Sequence, residues 1–135
     1  MVVPGRRKFA AVVSMSFMVA LIFSIPVSAS EKEDLERLIE RTNRKRSTPE
    51  KISEFVGKVK DYYYIGNPVV EGLLKEFKPG EVLTIIAISD LSKKDMNDIA
   101  KMRKAGKGWQ EITGKSGISM RLLIKDIKMF QRASG

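Results

Sequence analysis

The chain has 135 residues, 25 of them lysine or arginine against 16 acids, with no histidine and no cysteine. That length suits one domain. Without cysteine there is no disulfide or thiolate framework, and without histidine the commonest metal ligand, the usual general base and every histidine-assisted nucleophile are gone. A non-enzymatic protein with no metal and no cofactor is expected.

Residues 1–29 have the three regions of an export signal. Arg6, Arg7 and Lys8 lead. Phe9 to Ile25 follows, apolar apart from three serines, and Pro26 then breaks the run ahead of Val27-Ser28-Ala29. Small residues at Val27 and Ala29 suit a signal peptidase, so cleavage is expected after Ala29, delivering the protein to the periplasm or beyond the cell. The rival is a retained anchor. The apolar run falls short of the ~20 residues a membrane-spanning helix needs, which favours cleavage. Cutting there removes three of the 25 basic residues and no acid, leaving 22 against 16, a formal +6.

Residues 30–47 read as a charged helical arm. Leu35, Leu38 and Ile39 make a narrow apolar stripe, while Glu33–Arg37 and Glu40–Arg44 are spaced i, i+4. So little apolar surface predicts weak docking, or use of the stripe for self-association. Residues 48–135 are expected to form the folded domain. Ser47-Thr48-Pro49-Glu50 is a helix start with a hydroxyl cap, followed by Ile52, Phe55, Val56, Val59 and Tyr63 at helical spacing. Tyr62-Tyr63-Tyr64 point three ways on a helix, so core and rim packing is expected there rather than a stacking platform. Gly66 is expected to stop this helix and Asn67-Pro68 to cap the next, which carries Val69, Val70, Leu73, Leu74 and Phe77.

After a turn at Lys78-Pro79-Gly80, residues 82–88 are apolar almost throughout. Such a run also suits a buried strand. With no comparable run to pair with it, it reads as the central helix. Ser92-Lys93-Lys94-Asp95 then resembles a capping box opening a helix to Ala105. Gly106 and Gly108 supply turn geometry and Trp109, the sole tryptophan, a wedge between helices. A short helix runs to Lys115, and after Ser116-Gly117-Ile118-Ser119 the last helix carries Leu122, Leu123, Ile124, Ile127 and Phe130.

Two segments repeat. Glu81-Val82 and Ala87-Ile88-Ser89 match Glu111-Ile112 and Gly117-Ile118-Ser119 at an offset of 30, and Val70 and Leu73 match Ile99 and Met102 at 29. Repeats this short must stack on each other. The expected fold is all-α: a compact bundle of five or six short helices with a degenerate helix-turn-helix repeat.

The pattern Phe77-x-x-Gly80-Glu81-Val82, then Ser92-x-x-Asp95-x-x-Asp98-Ile99-x-x-Met102-Arg103-x-x-Gly106-x-Gly108-Trp109-x-Glu111-Ile112, resembles small exported bacterial proteins of unassigned function. Members often carry glycine, alanine and leucine where Gln110, Thr113 and Ser116 stand. The resemblance implies export and a helical fold, and brings no activity.

Positive charge concentrates at the C-terminus. Between Lys101 and Arg132 nine basic residues face only Glu111 and Asp126. Arg121, Lys125, Lys128 and Arg132 fall on one stripe of the last helix and are the candidate contacts for an anionic partner, whether polymer, cell envelope or membrane surface. The alternative is a helix-turn-helix over Ile112, Gly117, Ile118, Ser119 and Leu123, which would bind nucleic acid behind a retained anchor. Export disfavours DNA. Asp95 and Asp98 read as a cap and a solvated face, not as a paired-carboxylate site.

Overall fold

A computed structural model describes residues 29–135. The leader and most of its proposed cleavage region lie outside them. Seven helices and no strand occur among the described residues: α1 (Ala29–Lys45), α2 (Pro49–Tyr63), α3 (Asn67–Leu74), α4 (Pro79–Ser92), α5 (Met96–Lys104), α6 (Trp109–Ser116) and α7 (Met120–Ser134). The all-α class read from the pattern is the observed one, with six of these helices following Thr48.

The apolar run is a helix, and it is the axis of the molecule. α4 contacts all six other helices, and every residue from Val82 to Ile88 is buried. A helix apolar all round has no solvent face to offer, so the other elements must wrap it. Thr84, fully buried within that run, donates its hydroxyl to the Gly80 carbonyl at 2.7 Å and so leaves no unpaired polar atom.

α1 corrects the expectation of a loosely held arm. Leu35 and Leu38 are almost completely buried against α4 and α7, each worth about 1.5–3 kcal/mol as an upper bound. The contact is close because Gly80 lets the backbones meet: a Cβ there would sit 2.3 Å from the Ile39 carbonyl oxygen. Asn43 Oδ1 then accepts the Gly80 N–H at 2.7 Å, satisfying a first-turn amide that α4 cannot pair internally. The stripe offered for self-association is largely spent inside the fold. A pattern of few apolar residues hid this, because the partner's glycine and one asparagine do much of the docking.

Several boundaries also move. α2 ends at Tyr63 because Tyr64 turns left-handed (φ 56°), ahead of Gly66, whose φ of −67° is ordinary. Gly66 instead sits at the N-cap of α3, with Asn67 and Pro68 inside the helix. Of the three tyrosines, Tyr63 is buried, Tyr62 half-buried and Tyr64 93% exposed, in line with core and rim packing. Gly80 lies in the first turn of α4, with Pro79 at the helix start, not in a loop. Ser92 closes α4 rather than opening α5. The cap of α5 is Asp95, whose carboxylate accepts the Asn97 N–H at 2.8 Å.

The repeat is visible as α3–turn–α4 and α5–turn–α6. Val70 and Ile99 are both fully buried, as are Val82 and Ile112. The copies part at Ala87, which continues α4, and Gly117, which ends α6 at φ 76°.

Candidate functional site

α7 is built to show one face and anchor the other. Ser119 caps it, accepting the Leu122 N–H at 3.1 Å. Met120, Leu123, Ile124, Ile127 and Phe130 face inward against α1 and α4. Phe130 is enclosed by rings, edge-on to Phe55 at 6.2 Å and Tyr62 at 5.4 Å and stacked with Tyr63 at 5.8 Å.

Polar contacts fix the helix from both sides. Gln131 Nε2 donates to the Leu38 carbonyl (3.3 Å) and to Thr42 Oγ1 (3.0 Å) on α1. On the α2 side the Tyr63 hydroxyl donates to Asp126 Oδ2 at 2.7 Å, and the Lys58 ammonium donates to the Ser134 carbonyl. Burial pushes the Tyr63 phenol well above its ordinary value, and the neighbouring Asp126 charge adds to it. Burial likewise raises the Asp126 carboxyl, partly opposed by the hydroxyl bonded to it. Asp126 is thus turned toward Tyr63 and half-buried, which withdraws the only acid of α7 from its outer face.

That outer face carries Arg121, Lys125, Lys128 and Arg132, all exposed. Arg121 Nη2 lies 3.8 Å from Glu31 Oε1 but stays 87% exposed, an ion pair of little energetic weight. Lys125, Lys128 and Arg132 make no salt bridge among the described residues. The structure therefore brings all four sequence-identified cations onto one stripe of one rigid helix. Further along, the Lys107 and Lys115 amines crowd each other: hydrogen bonding between them, then charge repulsion, lowers the pKa of Lys107.

The turn and wedge residues have a different role. Gly106 adopts φ 88°, which glycine alone takes without strain. Gly108 does not need to be glycine, since its φ is −71° and a Cβ there would meet nothing within 4 Å. Trp109 is 8% exposed and packs in the core cluster, as a wedge. Its ring is covered by the Arg103 guanidinium, 4.3 Å from the centroid. Arg103 also donates to Glu81 Oε2 through Nε (3.0 Å) and to the Lys107 carbonyl through Nη1 (3.1 Å). This bracket joins α4, α5 and the turn into α6. Sequence reasoning counted Arg103 only as surface charge. The signal available was only that Glu81, Arg103 and Trp109 all stand within the one pattern quoted above. Lys104 is likewise committed, paired with Glu76.

A large concavity lies elsewhere among the described residues. An open groove of about 680 Å³ runs between α3 and α5, with Ile65, Val69, Leu73, Met96 and Ala100 among its lining. Of its charged groups, Glu76 pairs with Lys104 and Asp95 caps α5, while Lys101 is exposed at its edge. No cluster of acidic, histidine or cysteine side chains able to hold a metal ion occurs among the described residues, and no helix there is long and apolar enough to cross a membrane. Comparison with models of known families, with curated proteins and with solved structures returned no match.

Proposed function

We propose that this is an exported, non-catalytic helical binding module that engages an anionic partner through the outer face of α7. One observation carries the reading. Arg121, Lys125, Lys128 and Arg132 stand on a single exposed stripe, on a helix whose opposite side is locked by Phe130, Gln131 and the Tyr63–Asp126 bond. Four cations presented this way bind without reordering the backbone, so little conformational entropy is lost on binding. Export is supported by the leader pattern in residues 1–29 and by the resemblance to small exported bacterial proteins. The partner belongs to the cell envelope or its surroundings.

The test is retention on heparin resin. The chain from Ser30 onward is expected to bind and to elute at moderate salt, because the attraction is screened. Reversing charge together at Arg121, Lys125 and Lys128 is expected to abolish retention without changing the melting temperature. Retention unchanged by that triple reversal contradicts the reading.

A second reading has its own observation. α6, the left-handed Gly117 and the Ser119-capped α7 form a helix-turn-helix in chain order. Under it the leader stays as an anchor and α7 reads nucleic acid. Discrimination is direct: sequence-selective binding to duplex DNA, with the uncut chain facing the cytoplasm, favours the second reading over the first.

A further inference from the structure

The outer face of α7 carries more than charge. Leu122 is 45% exposed and Met129 49%. Seven residues apart, they stand two turns from one another along the flank of the basic stripe. The other large hydrophobics equally open among the described residues, Tyr64 and Val69, belong to α2's end and to α3. Nucleic acid and acidic polysaccharide offer α7 anionic groups, but no apolar phase for these two side chains. An anionic bilayer surface offers both. Leucine and methionine can enter the boundary between headgroups and acyl chains, while long basic side chains reach back to the phosphates.

We infer that this face of α7 docks on an anionic lipid bilayer, with Leu122 and Met129 inserted and Arg121, Lys125, Lys128 and Arg132 on lipid phosphates. The inference rests on the anionic-partner reading and narrows it to one partner. Placement in the fold supports it. Arg121, at the start of α7, lies 3.8 Å from Glu31 near the start of α1, and only residues 26–30 separate Glu31 from the apolar run ending at Ile25. Until the leader is cut, the segment that targets the membrane and the face that would rest on it are therefore joined by a very short connection.

The experiment is vesicle co-sedimentation with the chain from Ser30 to Gly135, whose core residues all fall between Leu35 and Phe130. Phosphatidylglycerol-containing vesicles are expected to bind it at low salt, and pure phosphatidylcholine vesicles to leave it in solution. Each basic residue removed is expected to weaken binding about fivefold. The variant Leu122→Ser/Met129→Ser is expected to lose roughly tenfold in vesicle affinity while eluting from heparin at the same salt as the parent. All substitutions are at exposed positions, and an unchanged circular dichroism melt verifies folding. Equal vesicle binding by the Leu122/Met129 variant, or equal binding to neutral vesicles, overturns the lipid inference. Heparin retention without vesicle binding overturns it too and leaves the anionic-partner reading standing. Loss of both on charge reversal, with loss of vesicle binding alone on apolar removal, supports it.

Discussion

The two copies of the repeat, α3–α4 and α5–α6, begin alike and end as opposites. Val70 and Val82 in the first hold the positions of Ile99 and Ile112 in the second, and all four are fully buried. Four other positions part at the offset of 30. Gly80 in α4 corresponds to exposed Gln110, Thr84 to exposed Gly114, Ile86 to Ser116 and Ala87 to Gly117. In the first copy α4 is wrapped on every side and serves as core. The second keeps a solvent face and stops early, which frees the chain to turn at Gly117 and lay α7 across α1 and α4. A helical frame used twice thus buries its second helix on every side in one copy and partly in the other, and the choice is made by a few side chains rather than by the frame.

The sharpest way to break this comparison is at the tightest contact. Gly80→Ala places a Cβ against the Ile39 carbonyl and is expected to cost about 3 kcal/mol or more in urea unfolding. Its counterpart Gln110→Ala, on a solvent face, should stay within about 0.5 kcal/mol. Equal effects at the two sites would mean that α1 does not clamp α4. Next in size is the stop signal: Gly117→Ala forces a left-handed alanine and should destabilise by about 1–2 kcal/mol, measured the same way.

A third prediction uses pH. The Tyr63 phenol is raised from an ordinary value of 10.0 by burial and by Asp126. A raised folded-state value means stability is fully present below pH 10 and declines above it, as the unfolded phenol ionises and the folded one resists. The urea midpoint should therefore fall between pH 9 and pH 11, and Tyr63→Phe should flatten that fall relative to the parent, with lysine titration common to both. Identical slopes would mean the bond between α2 and α7 is not protected from solvent. The smallest effect has the opposite sign. Ser116 Oγ is buried with no hydrogen-bond partner among the described residues, in the place where the first copy puts Ile86. Ser116→Ala should stabilise by about 0.5–1 kcal/mol, which a thermal melt resolves.

What could be read from residues alone followed from periodicity. Six of the helices after Thr48, the central place of residues 82–88 and the basic stripe of α7 all follow from spacing on a 3.6-residue turn. What escaped was cross-chain geometry. Nothing near Gly80 announces that it faces Ile39, so α1 looked like an arm. Tyr64 in a left-handed cap breaks the rule that glycine ends helices, and so the pattern points to Gly66 where α2 in fact ends at Tyr63. Arg103 was counted with the surface cations because charge counting cannot tell a solvated guanidinium from one stacked on Trp109. The basic stripe of α7 is legible in the spacing; the Arg103 bracket between α4, α5 and α6 is not.

The most direct measurement is an amide chemical-shift titration of the folded chain with a short heparin fragment. The account predicts shifts centred on Arg121, Lys125, Lys128 and Arg132, saturating together, with α4 silent. Shifts centred on the groove between α3 and α5, or spread across α4, would contradict it.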